Sequence, residues 1–195
     1  MADSPSPLAQ GEETGPMIKQ LPVSLEDLFY GTKVRVTFRR KVWEEKRRRW
    51  TEEEHDVEVP IYKGLKPGSR VKFRGEGDIG PGGVERDLHF VVVERSHPTF
   101  TRHSLDLHCT LDVPLADALC GWSLTMTSIC GKAVTVSHPG PTPTGWIERR
   151  TGLGMCDYRR PEERGDLVLE VHVVWPEGQL GEGQKKMVRA ALKDL

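Results

Sequence analysis

One eleven-residue phrase occurs twice. LPVSLEDLFYG spans residues 21–31, and LDVPLADALCG spans residues 111–121. At an offset of 90, Leu21 meets Leu111, Val23 meets Val113, Leu25 meets Leu115, Asp27 meets Asp117, Gly31 meets Gly121 and Thr37 meets Thr127. The echo continues at smaller offsets. Gly75 and Gly77 answer Gly152 and Gly154 at 77, and Asp87-Leu88 answers Asp166-Leu167 at 79. A period this long exceeds that of a solenoid. It predicts two tandem units, each with a small core of its own and the second shorter in its middle. Small cores are marginal, so packing between the units should add stability.

Within each unit the pattern reads as β. From Lys33 to Trp43, apolar Val34, Val36 and Phe38 alternate with polar residues, and Val57, Val59 and Ile61 alternate again. RVKF, DLHFVVVER, SLDLHCTLDVP, WSLTMTSI, KAVTVSH, GWIERR and DLVLEVHVVW read as further strands, punctuated by Gly and Pro. Pro67-Gly68 marks a turn. SLEDLFYG and PLADALCG are single-turn helices that close on Gly. The last fifteen residues read as a longer helix, with Val188, Ala191, Leu192 and Leu195 on one face. The expected class is mainly β. A disordered, Pro- and Glu-rich tail over 1–17 precedes β domains at 18–97 and 98–180 and a helix at 181–195.

Several function classes are disfavoured. The net charge is -1, so no global field draws the chain to nucleic acid. RRKVWEEKRRRW, residues 39–50, is basic, but neighbouring acids make it a charged hairpin. No apolar run is long enough to span a membrane, and the N-terminus lacks the apolar stretch of a secretory signal. The four cysteines form no CxxC pair and read as reduced thiols of a cytoplasmic protein. His103 and His108, five apart on one strand, should face opposite sides and hold no metal. The Gly-x-Gly triplets precede no long helix and read as turns. With no nucleophile elbow or ligand spacing, neither an enzyme nor a cofactor is expected.

LPVSLEDLFYGTK, GLKPGSRVKFRGEGD, DLHFVVVERSHPTFTR, DLHCTLDVPLADALCGW and RGDLVLEVHVVWP resemble the C-terminal substrate-binding region of DnaJ-type co-chaperones, the forty-kilodalton partners of the seventy-kilodalton heat-shock ATPase. The absence of CxxCxGxG repeats makes the chain similar to class B. His97-Pro98 and His138-Pro139 are not followed by Asp, so this stretch contains no J-domain signature and is not expected to stimulate the ATPase alone. The resemblance implies two β-sandwich domains and a C-terminal dimerisation helix, here through Met187, Val188, Ala191 and Leu192. It further implies that unfolded client segments add along a strand edge over an apolar groove formed by Leu21, Val36, Phe38 and Phe90. Burying two client side chains would contribute about 3–6 kcal/mol before association costs, hence roughly micromolar binding. The family's lysines for the partner's acidic tail fall on Val34 and Glu54, which leaves Lys33, Arg35 or Arg39 as substitutes, although strand alternation points Arg35 away from the groove. A scaffold role in a larger assembly, for example ciliary, is the alternative implication.

Overall fold

In the computed structural model, residues 15–193 are described. The first half runs β1 (Met17–Val23), α1 (Leu25–Tyr30), β2 (Thr32–Glu44), β3 (Arg49–Ile61), β4 (Arg70–Phe73) and β5 (Leu88–Glu94). The second runs β6 (Thr101–His103), β7 (Asp106–Pro114), α2 (Leu115–Cys120), β8 (Trp122–Thr127), β9 (Ala133–His138), β10 (Ile147–Arg150) and β11 (Leu167–Val174), and α3 (Glu182–Ala191) closes the chain. The first half has a sheet of order β1-β5-β4 and a separate hairpin β2-β3. The second has a sheet of order β10-β11-β7-β6 and a hairpin β8-β9. Mainly β architecture with a C-terminal helix is thus the observed class. Of the expected tail, residues 1–14 lie outside the described residues, and Met17 already belongs to β1, with its N–H donating to the Asp87 carbonyl at 2.7 Å.

The sequence repeat is also a repeat of register. In the first half Leu21 pairs with Val92 in parallel, and shifting by 90 and 79 gives the observed pair Leu111 with Val171. The antiparallel pair Arg70 with Val91, shifted by 77 and 79, becomes Ile147 with Glu170. In the hairpins, Val36 with Val57 becomes Met126 with Val134 under shifts of 90 and 77. The shortening therefore falls at the hairpin tip. β2 and β3 are 13 residues each, whereas β8 and β9 are 6. The charged run 39–50 forms much of the extra length. Arg40 binds Glu53 at 2.6 Å, and the Trp43 and Trp50 rings meet across the strands at 5.5 Å.

Local chemistry accounts for the short helices. Asp27 N–H donates to Ser24 Oγ at 3.1 Å, capping α1. Gly31 and Gly121 then leave their helices at φ 78° and 103°, conformations that a side chain resists. α3 is opened by the Gly181 N–H, which donates to Gln184 Oε1 at 2.9 Å.

One expected strand divides. SLDLHCTLDVP does not run straight from residue 104, because Ser104 adopts φ 60° and turns the chain back on itself. β6 therefore pairs with β7, covering part of its edge. The turn also reverses the expectation for His103 and His108. They lie on the same face, with ring centroids 4.4 Å apart, because alternation holds along one strand and not across a hairpin.

The two units do not have separate interiors. One continuous buried cluster includes Leu25, Leu28, Leu88 and Phe90 of the first and Leu107 and Met155 of the second. Polar contacts also cross the junction. Arg102 donates to the Leu65 carbonyl at 2.9 Å, Lys66 meets Asp157 at 3.3 Å, and Tyr30 Oη donates to the Ile129 carbonyl at 3.3 Å. Gly64 is tightest: at φ 79°, a Cβ there would stand 2.5 Å from the Cys156 carbonyl oxygen. Gly64→Ala is expected to destabilise the chain by at least about 1–3 kcal/mol, the usual cost of a left-handed non-glycine residue. A urea-unfolding midpoint unchanged in this variant would contradict the tight junction.

Candidate functional site

The inner face of β2 carries Val34, Val36 and Phe38, which alternation points toward the β1-β5-β4 sheet. Aromatic rings fasten the hairpin to that sheet. Phe38 lies 6.2 Å from Phe90, Phe90 lies 5.9 Å from Phe73, and Phe38 also meets His55 at 5.7 Å. Leu21, Phe38 and Phe90 are all buried, Phe90 to 1% exposure, while Val36 is half-buried. The four groove residues thus divide. Leu21, Phe38 and Phe90 are a packed floor, and Val36 alone of the four stays half-open. Expecting all four at an open trough overlooks how completely the hairpin closes over the sheet.

Lys33 and Arg35 stand on the opposite, solvated face, paired across the hairpin. Lys33 Nζ is 2.7 Å from Glu58, and Arg35 binds Asp56, which also accepts from Thr37 Oγ1 at 2.5 Å. The Thr37 hydroxyl and the Arg35 guanidinium hold the Asp56 carboxyl below its ordinary range, and Glu58 raises the Lys33 ammonium. These side chains therefore point away from the apolar face. Glu54 sits in the same ladder, 4.0 Å from Arg39. The cation beside the apolar face is Lys19 of β1, whose Nζ lies 4.9 Å from the centre of the Phe38 ring. Sequence reasoning passed over it, although Lys19 shares the parity of Leu21 on one strand.

Backbone geometry defines an edge. β2 pairs with β3 on one side. On its other side, near the tip, Trp43 N–H donates to the Ile79 carbonyl and Ile79 N–H to the Lys41 carbonyl, each at 2.8 Å. The N–H and C=O of one residue point to the same side of an antiparallel ladder, and the side alternates. The backbone groups of Lys33, Arg35, Thr37 and Arg39 therefore share the outer side with those of Lys41 and Trp43. Among the described residues none of these four has a backbone hydrogen bond to another segment there. They form an unpaired edge above half-buried Val34 and Val36. β1 likewise pairs only with β5 among the described residues.

α3 buries no residue. Met187 is 66% exposed, and Val188 and Ala191 on the same helix and Leu192 at its C-cap are exposed as well. The apolar stripe thus has no partner among the described residues, and docking on its own second sheet is not observed. Leu195 lies outside the described residues. The four cysteines are unpaired, and burial pushes the Cys109 thiol up. Among the described residues no three His, Cys, Asp or Glu side chains gather as a metal cluster, and no helix is long and apolar enough to cross a membrane.

The chain thus holds a twice-built β unit, with the first strand of each unit beside its last and a hairpin apart from them. The family model for the DnaJ C terminal domain matches residues 17–176. The chain belongs to the DnaJ C-terminal domain family. It is 35% identical over 170 residues to Protein psi1 of Schizosaccharomyces pombe, covering 87% of this chain and 44% of that protein. To Protein SIS1 of Saccharomyces cerevisiae it is 32% identical over 186 residues, 95% of this chain and 51% of that protein. Human DnaJ homolog subfamily A member 2 matches at 37% over 123 residues, 62% of this chain and 30% of that protein. The chain spans about half the length of the first two.

The division of floor from rim is measurable. Phe90→Ala should reduce the unfolding free energy by about 3–5 kcal/mol, since it empties a packed core site. Val36→Ser, at a half-exposed position, should cost roughly 1 kcal/mol or less. Equal losses in denaturant titrations would show that Val36 is core as well.

Proposed function

We propose that this chain binds extended, unfolded polypeptide segments as a chaperone or co-chaperone module, by strand addition along the free edge of β2. The carrying observation is that edge itself. Among the described residues, the outward backbone groups of Lys33, Arg35, Thr37 and Arg39 lack a neighbouring strand, beside the half-buried apolar face of Val34 and Val36. An added strand gains main-chain hydrogen bonds from the edge, and its alternate side chains settle on Val36 and the rim of Phe38. Main-chain bonds read no sequence, which suits varied clients. The contact is shallow, and association costs consume much of its gain, so roughly micromolar affinity follows. No chemical step is involved.

Membership of the DnaJ family supports this reading and the seventy-kilodalton heat-shock ATPase as partner. For an acidic tail of that partner, Lys19 is the cation placed over the apolar face, whereas Lys33 and Arg35 are already engaged by Glu58 and Asp56. This engagement also favours the scaffold reading, in which client binding has weakened and assembly remains.

Arg39→Pro discriminates between the two. Proline at this outward position removes an edge donor while sparing the bonds of β2 to β3. It should abolish the slowing of aggregation of a heat-denatured client, with the circular dichroism of the fold retained. If the parent chain fails to slow aggregation at several-fold excess, or Arg39→Pro slows it equally well, strand addition at this edge is wrong.

Assembly is read separately. We propose that α3 pairs with the α3 of a second copy around a twofold axis through Met187, Val188, Ala191 and Leu192, a pairing that would cover an otherwise solvated stripe. Light scattering should give twice the monomer mass, and removal of residues 182–195 should halve it. An unchanged mass after truncation would clear the helix of this role.

A further inference from the structure

We propose that His103 and His108 form a two-imidazole clamp for a divalent transition-metal cation on the outer face of the second sheet. The turn at Ser104 brings them together: His103 pairs with Asp106, Thr101 pairs with His108, and the two rings lie 4.4 Å apart, inclined at 60°. An imidazole binds such an ion at about 2 Å, so two rings in adjacent coordination positions have centres roughly 4.5 Å apart. The observed centroid spacing matches.

Two things separate this pair from the other histidines: its nitrogens are uncommitted, and unlike His89, whose buried Nδ1 is also unpartnered, its members face each other. His55 binds Glu76, His97 binds Glu26, His138 accepts from the Gly140 N–H, and His172 binds Asp112. Neither His103 nor His108 has a hydrogen bond or ion pair among the described residues, and His103 is exposed. Asp106 does not complete a triad, because it accepts from the Asp166 N–H at 2.8 Å and meets Arg149 at 3.5 Å. The ion therefore keeps its remaining positions for water or for a donor from another molecule. Two nitrogens in adjacent positions with the rest open suit Cu(II) and Ni(II) better than Zn(II), which also stands below Cu(II) in the intrinsic affinity order.

The matched probe is Ni(II)–nitrilotriacetate, whose chelator leaves two adjacent positions free. Titrated by calorimetry into the full chain, it should bind one equivalent. Affinity should fall roughly tenfold or more in His103→Ala and in His108→Ala, since one ring alone loses the effective concentration of its neighbour. His172→Ala, on the same face but paired with Asp112, should leave it unchanged, and in nuclear magnetic resonance spectra the paramagnetic broadening should centre on residues 101–108. Equal affinity in the parent and both variants, equal loss in His172→Ala, or broadening centred elsewhere would each overturn the proposal.

Discussion

The parallel pairing of the first strand of each unit with its last is the contact on which the rest depends. β1 lies along β5, and β7 lies along β11 from Leu107 to Pro114. Parallel neighbours need a long connection, and in both units that connection holds a short helix, a hairpin and one further strand. Closing so long a loop carries an entropic cost that local turns do not. It is offset by burying Leu21, Val23, Leu88, Phe90 and Val92 in one unit and Leu111, Val113, Leu167, Leu169 and Val171 in the other. The hairpin then covers the buried face and is held there by Phe38 against Phe90.

The same unit built twice has acquired two surroundings. In the second, β6 lies along β7 and the hairpin has shrunk to 6-residue strands. In the first, the long hairpin runs to a charged tip, and among the described residues β2 keeps an outer border that only Ile79 and Asp78 meet, near that tip. Exposed borders invite pairing and are commonly blunted by charge. Here the blunting is on one face: Lys33, Arg35 and Arg39 are matched by Glu58, Asp56 and Glu54, while Val34 and Val36 line the other.

Much of this was legible beforehand. Offsets of 90, 77 and 79 in identical residues are the offsets of the observed strand pairs, because a repeat that conserves its core residues must conserve the register that buries them. The helices announced themselves through Ser24, Gly31 and Gly121, whose effects are local. Less legible was how deep each groove residue sits. Phe90 and Val36 both occupy apolar positions of alternating strands, yet one is sealed and the other half-open, since burial depends on what a different segment lays over it. Lys19 was invisible as a groove residue for the same reason: its neighbour Phe38 is remote in sequence.

The sequence by itself determined the alternation of faces, the duplicated order of strands and the apolar stripe of α3, because these follow from periodicity and from the backbone preferences of single residues. Only the tertiary structure decided which border stays unpaired, which cation stands over Phe38, and that His103 faces His108. Each of these depends on the path of the chain between distant residues. One left-handed Ser104 is enough to turn two positions that periodicity sets on opposite faces into neighbours.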